Sequence, residues 1–409
     1  MGVISRRDPW LQKSQNEQVR AFFVCINEKL WRSNGVIAAG ECTPHLPGGF
    51  QKEIGMPVIV SATTGFPGHY YPQDTLLSAA QEEWKLKRAS IVKPLEQFYT
   101  NVKVNGRHLS WPLERYKKPT TFEERNNAYI ETALALGEDT ICALLDQVQM
   151  SPQEIDQLTT ISTTGIAVPS LDARLMNRIP FSRGMKRLPL FGLGCVGGAA
   201  GIARTADYLR GHPDEAVILF AVELCSLTIQ RDDLSMANLV ASGLFGDGAA
   251  AVLMVGDDHP RAKPGLPRVI DSQSQFFPET EHIMGWNVTN SGFKVLLSAD
   301  IASLARSEVR PGMEAFLDKH DLTIAGIDHW LVHPGGPKVI QALGDGLGLP
   351  DDALVLSWET LAEVGNVSSA SVLLILDKTM KRMQPKPGEY GLLMAMGPAF
   401  CAELVLLQW

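Results

Sequence analysis

From Met56 onward, short apolar runs alternate with longer stretches in which apolar positions recur every three or four residues. Those are the marks of buried strands and amphipathic helices. The run over 57–66, PVIVSATTGF, predicts a buried strand, while 73–99 and 122–149 predict helices. Apolar runs at 158–162, 188–193, 216–222 and 249–255 predict further strands. A second series follows: strand 268–272, helix 301–320, strand 329–332, helix 337–347, then strands 390–396 and 402–408 with GPAF between them, read as a hairpin. Alternation on this scale predicts an α/β fold with its sheets buried between helices.

Residues 1–55 break the rhythm, mixing charge, Gly and Pro (TPHLPGGF). They are expected to form a loosely attached N-terminal extension, and Met56 is a candidate for the natural start. Beyond them, a pair of octets shares one plan: LGCVGGAA at 193–200 and VGNVSSAS at 364–371. Each puts a polar residue after a glycine and then a helix of small side chains, which suggests an internal duplication. Small side chains let two helices approach closely, so the two are expected to pack on each other with Cys195 and Asn366 side by side at their tips.

Composition removes whole classes of function. With 45% hydrophobic and 20% charged residues the chain can build a sizeable core, so it is not disordered. Its net charge of -8 and lack of a basic run argue against general nucleic-acid binding. No stretch reaches the apolar length of a membrane span, and the N-terminus is a poor signal peptide despite Arg6 and Arg7. The six cysteines (Cys25, Cys42, Cys142, Cys195, Cys225, Cys401) show no CxxC spacing and no companion histidine cluster. Neither a metal site nor a disulfide framework is expected, and a reducing cytoplasm fits best.

The candidate chemistry starts at Cys195. A thiol at a helix N-terminus meets the positive end of the helix dipole and unpaired N–H groups, both of which favour thiolate. A lone cysteine is also a common buried packing residue. Two further junctions tip the balance. LVHPGGP puts His333 at a strand end before a Gly/Pro turn that opens a helix, and GNVSSA puts Asn366 at another such turn. Strand-to-helix junctions are where α/β folds place ligands.

Together GCVGGAAG, LFGDGAA (244–250), HPGGP, GNVSSAS and MGPAF resemble the type III polyketide synthases, the chalcone-synthase-like branch of the thiolase superfamily, over about 56–409. The resemblance implies a five-layered αβαβα fold from two similar halves, 56–265 carrying the cysteine and 266–409 carrying the histidine and asparagine, working as a homodimer. It gives Cys195, His333 and Asn366 the catalytic positions and Phe245 that of a gatekeeper. Cys195, as a thiolate paired with His333, is expected to take an acyl group from acyl-CoA. His333 and Asn366 are expected to stabilise the enolate formed when malonyl-CoA loses CO₂. CoA thioesters are then substrates, and no metal or redox cofactor is expected.

The pocket positions depart from the plant members. Val295 stands where those carry a second gatekeeper phenylalanine, Met396 and Ala399 lie in a loop that there reads GFGPG, and Cys225 replaces a pocket threonine, with Thr228 three residues on. Thr163, Thr164 and Ser368 also match pocket positions. A smaller gate and a flexible methionine suggest an alkyl chain. MGWNVTNSGFKVLLS (284–298) and ELCSLTIQRDDLS (223–235) resemble bacterial alkylresorcinol and alkylpyrone synthases, which take long fatty acyl-CoA starters. Cys225 is either part of an acyl tunnel or a buried strand cysteine. Val168-Pro169 matches the loop that crosses the family's dimer interface, with valine replacing methionine. In KVNGRH, Lys103 and Arg107 are candidate CoA contacts or simply solvated charges. His69, His108 and His329 are left as structural or surface residues.

Other readings remain open at this point. A malonyl, short or aromatic starter would give a naphthol- or phloroglucinol-type product. A ketoacyl-acyl-carrier-protein synthase of the third type shares the Cys-His-Asn chemistry, but resembles HQAN rather than HPGGP at the histidine turn. A cysteine hydrolase would resolve its acyl-enzyme with water.

Overall fold

The computed structural model describes residues 55–85 and 92–409. The expected N-terminal extension therefore lies outside the described residues, Gly55 excepted. Thirteen strands are present among the described residues: β1 Val58–Gly65, β2 His69–Pro72, β3 Gly106–Leu109, β4 Gln157–Ile161, β5 Lys186–Leu190, β6 Ala216–Leu224, β7 Asp247–Val255, β8 Arg268–Phe276, β9 Met284–Thr289, β10 Gly292–Leu297, β11 His329–Val332, β12 Tyr390–Gly397 and β13 Cys401–Gln408. Nine of them run in the order β11-β12-β13-β8-β1-β7-β6-β4-β5.

The middle of that row is a seam. β1 and β8 share a single register pair, Val58 with Arg268, while every other neighbouring pair shares several. On one side β1, β7, β6 and β4 join by antiparallel, antiparallel and parallel pairing. On the other, β8, β13, β12 and β11 repeat that sequence of pairings. The duplication suggested by the twin octets is therefore a duplication of sheet topology. The helix Gly197–Gly211 feeds β6, and the helix Ser371–Lys378 feeds β12, its counterpart.

Period-two packing builds the layers. In β6 (AVILFAVEL) every residue is buried. Val217, Leu219 and Ala221 join a central cluster with Ala199, Ile202 and Ala206 of one central helix and Val372 and Leu376 of the other. Ala216, Ile218, Phe220 and Val222 face outward onto Ala133, Ile141 and Leu144 of the long helix Phe122–Val148. In the second half Leu393 and Val405 face inward. Leu392, Leu404 and Leu406 face outward onto Val309, Phe316 and Ile340 of the outer helices. Since each fully buried Leu, Ile or Phe contributes about 1.5–3 kcal/mol, neither sheet face can stay uncovered. The result is the thiolase-like five-layered αβαβα arrangement.

The long helix begins where sequence chemistry dictates. The Thr121 hydroxyl accepts the Glu124 N–H at 3.1 Å, while the Glu124 carboxylate accepts the Thr121 N–H at 2.8 Å, a reciprocal capping box. Within the expected 73–99 helix the described helices are Gln73–Lys85 and Val92–Asn101. The expected 301–320 helix is interrupted. Residues 301–320 give Ile301–Ser307 and Val309–Asp318, with Glu308 between them. There Pro311 lacks the N–H a continuous helix would need, and its ring would meet the Ser307 carbonyl. Two small sheets, β2 with β3 and β9 with β10, were not expected from the apolar pattern, being short or only partly buried. No helix among the described residues is long and apolar enough to cross a membrane.

Candidate active site

Behind β5 the chain turns through Gly192 and Gly194, both left-handed (φ 90° and 55°), before a short 3₁₀ turn brings Cys195 to the tip of the helix Gly197–Gly211. The small residues that follow are demanded by proximity. A Cβ on Gly194 would stand 2.6 Å from Pro398, one on Gly197 would stand 2.8 Å from Ile161 and 3.1 Å from Ser369 Cβ, and one on Gly198 would stand 2.3 Å from the Ser369 carbonyl. The nucleophile turn, the GPAF loop and the asparagine turn thus interlock. Cys195 is 8% exposed, and its thiol donates to Ser368 Oγ at 3.6 Å.

Asn366 enters from the other half. Gly365 (φ 72°) ends the helix Val355–Val364 and turns the chain inward. The Asn366 main chain pairs on both sides with the turn around Phe245: its N–H donates to the Leu244 carbonyl at 2.9 Å, and its carbonyl accepts the Gly246 N–H at 3.0 Å. Its side-chain Oδ1 accepts the Ser368 N–H at 2.7 Å. That bond orients the amide, leaving Nδ2 to donate to the Gly335 carbonyl of the histidine turn at 3.4 Å. The Asn366 amide is also near enough to the Cys195 thiol to favour its ionised form.

His333 follows β11, where its N–H donates to the Met394 carbonyl at 2.8 Å. The side chain is 3% exposed, and neither ring nitrogen has a protein partner. Buried polar groups almost always find one, so this imidazole is held in readiness for something else. Burial pushes the Cys195 thiol up to about 11, against hydrogen bonds from Ser368 and Asn366, and holds the His333 imidazole down to about 3. Burial thus opposes the preference for thiolate that a helix tip confers.

Next to these lies a residue that the sequence pattern left unremarked. Glu223, an acid within the otherwise apolar β6, is fully buried. It accepts from Thr163 N–H (3.1 Å), Thr163 Oγ1 (3.1 Å), Thr164 Oγ1 (2.8 Å), Ser162 Oγ (3.4 Å) and Ser369 Oγ (2.5 Å). Thr163 and Thr164 thus have their hydroxyls engaged by this carboxyl, which ties the first half to the asparagine turn. Burial raises its pKa despite those donors. A lone acid in an all-apolar strand was the available signal.

The other expected pocket residues spread around this centre. Cys225 is buried in the turn after β6, close enough for Cys195 to act on it electrostatically, and Thr228 Oγ1 donates back to the Cys225 carbonyl at 2.8 Å. Phe245 is half-buried, and Val295 is buried on β10, which packs against the Cys225–Thr228 turn. Met396 is buried near the end of β12. Lys103 is exposed. Arg107 is not the solvated charge that the sequence left open: it is 1% exposed, with Nη1 donating to the Phe245 carbonyl at 2.7 Å. Its partners lie far away in sequence, so nothing in KVNGRH could reveal its burial.

Comparison with known proteins identifies the family. The profile for chalcone and stilbene synthases, N-terminal domain, matches residues 51–259, and that for the C-terminal domain matches 268–409. The chain is 46% identical to a 1,3,6,8-tetrahydroxynaphthalene synthase of Streptomyces peucetius subsp. caesius, over 86% of this chain and 93% of that one. It is 37% identical to a putative chalcone synthase of Bacillus subtilis strain 168, over 87% and 99%. The crystal structure of 1,3,6,8-tetrahydroxynaphthalene synthase from Streptomyces coelicolor A3(2) superposes with a TM-score of 0.80 at 29% identity, covering 86% of this chain and 99% of that one. A duplicated thiolase-like fold with both family domains in place means that the chain belongs to the chalcone and stilbene synthase family and is a type III polyketide synthase, an acyltransferase of decarboxylating condensation.

Proposed function

We propose that Cys195 carries the growing chain, with His333 and Asn366 serving both its loading and its extension. The observation that carries this reading is the buried His333 ring with both nitrogens free of protein partners, in the same interlocked set of turns as the Cys195 thiol and the anchored Asn366 amide. In loading, the thiol gives its proton to His333, sulfur attacks the thioester carbonyl of an acyl-CoA, and the departing CoA thiolate takes the proton back. In extension, the C–C bond to the carboxylate of malonyl-CoA breaks, CO₂ leaves, and the electron pair moves into an enolate. A neutral imidazole N–H and the remaining N–H of Asn366 Nδ2 are the donors for its oxygen. The enolate carbon then attacks the acyl-cysteine carbonyl and releases the Cys195 thiolate. CoA thioesters are the substrates, and this scheme needs no metal or redox cofactor.

For the starter, we infer a long fatty acyl group and an alkylpyrone or alkylresorcinol product. Support comes from the small side chains of Val295, buried on β10, and of Cys225, buried in the turn that β10 packs against. A second reading, priming by malonyl-CoA alone to give a naphthol, is favoured by the identity to the Streptomyces peucetius enzyme. Mass spectrometry of products from malonyl-CoA with acyl-CoA starters of graded length, while CO₂ is followed, separates them. Alkyl products from long starters support the first; a product unchanged by any starter replaces it with the second. Loss of the covalent acyl adduct in Cys195→Ala is expected, and its persistence at full stoichiometry would overturn the assignment of the nucleophile. A homodimer is also inferred, supported by the exposed Ile166 and the 87% exposed Val168 beside Pro169; a monomer mass by light scattering would remove it.

A further inference from the structure

The helix Met236–Leu244 ends inside the protein, where its last carbonyls cannot be satisfied by water. Each is met by a donor from a distant segment. The Tyr99 hydroxyl donates to the Ser242 carbonyl at 3.0 Å, Gln73 Nε2 to Gly243 at 2.8 Å, the Asn366 N–H to Leu244 at 2.9 Å, and Arg107 Nη1 to Phe245 at 2.7 Å. Gln73 Oε1 in turn accepts from Arg107 Nε at 3.3 Å, and the guanidinium lies 6.0 Å from the centre of the Tyr99 ring. A Cβ on Gly365 would stand 3.0 Å from Arg107 Cδ, so the arginine also backs the turn that delivers Asn366.

A buried guanidinium is costly unless its donors are used. Here two of them are used on neutral acceptors, the Gln73 side chain and the Phe245 carbonyl, at the point where the two halves meet. We propose that Arg107 is a positioning residue for the condensation. With Gln73 and Tyr99 it clamps the Leu244–Phe245 turn, and through the two main-chain bonds between that turn and Asn366 it sets where the Asn366 amide and the Phe245 ring stand relative to Cys195. The inference rests on the family's decarboxylating chemistry and is independent of which starter is used.

The test compares Arg107→Met, Arg107→Lys and Tyr99→Phe with the native enzyme. Four quantities are read: kcat and KM for malonyl-CoA decarboxylation, the fraction of Cys195 that becomes acylated, the chain-length profile of the products, and the melting temperature. Misplacing a donor lowers turnover without weakening ligand binding, so Arg107→Met is expected to lose roughly 30-fold or more in kcat with KM changed by less than about twofold. Cys195 acylation per folded protein should persist, and the chain-length profile should broaden as Phe245 loosens. Arg107→Lys should recover part of kcat, and Tyr99→Phe should lose about threefold. A rise in KM for every CoA thioester at unchanged kcat would mean that Arg107 binds CoA after all. A fall in melting temperature with kcat per acylatable Cys195 unchanged would reduce it to a structural role; either result overturns the proposal. Should Arg107→Met fail to fold, the two milder variants decide.

Discussion

Gly198 lies against the main-chain carbonyl of Ser369, so close that an added Cβ would stand 2.3 Å from the oxygen. The partner is backbone, and no rotamer change can relieve the clash. Gly198→Ala should therefore push the two central helices apart, at a cost of about 2–3 kcal/mol. A urea midpoint and product yield equal to the native protein's would show that the helices do not make this contact.

His333 and Cys195 can be separated by pH. Burial sets the Cys195 thiol at about 11 with His333 in place. In His333→Gln, the rate of Cys195 alkylation by iodoacetamide should climb log-linearly through the alkaline range, because only the thiolate reacts. The native enzyme should react faster near neutrality, because His333 can take the thiol proton as sulfur attacks. Superimposable profiles would mean that His333 is not the base that activates the thiol.

Asn366→Asp keeps an oxygen to accept the Ser368 N–H but replaces the Nδ2 donor with negative charge. Loss of one such donor typically costs 10²–10³ in rate. Malonyl-CoA decarboxylation should fall by about that factor, while loading of Cys195 by starter continues. Decarboxylation within a few-fold of native would exclude the amide as an enolate donor.

Glu223 supplies a prediction about stability. Its folded pKa is raised above the ordinary 4.5, so the folded chain binds this proton more tightly than the unfolded one. Stability from this group is greatest below 4.5 and is lost as pH rises through the folded value. Glu223→Gln removes the dependence. As pH rises above 4.5 and through the folded value, the urea midpoint of the variant should gain on that of the native protein. A constant difference would mean that the folded and unfolded carboxyl titrate alike.

At the far gate, Val295→Phe fills the buried face of β10 beside the Cys225–Thr228 turn. Shorter starters should then be preferred, as seen in the product mass spectrum, and an unchanged profile would remove Val295 from the pocket wall.

What could be read in advance divides along physical lines. Features set by neighbours in sequence were legible: the glycine turn before Cys195, the Pro337 start of a helix, the twin octets whose strands pair alike. Features set by tertiary partners were not. Arg107 finds its acceptors at Gln73 and Phe245, and Glu223 finds its donors at 162–164 and 369. Arg107 looks, along the chain, like any surface residue, and for Glu223 the sequence shows only a lone acid in an apolar strand without its partners. The direction in which burial moves Cys195 and His333 was not legible for a related reason, since desolvation depends on everything around a group and not on the helix it caps.

The order of strands across the sheet bears on how the chain comes off the ribosome. β13, made after all the others, lies between β12 and β8, with β8 next to β1 of the first half. The inner face of the first half is covered partly by Val372, Leu373 and Leu376, also made late. Neither half can close while the chain is still growing, so a broad apolar surface stays open through most of translation. A protein built this way depends during synthesis on whatever shields nascent apolar surface, and slowing elongation should not help it fold.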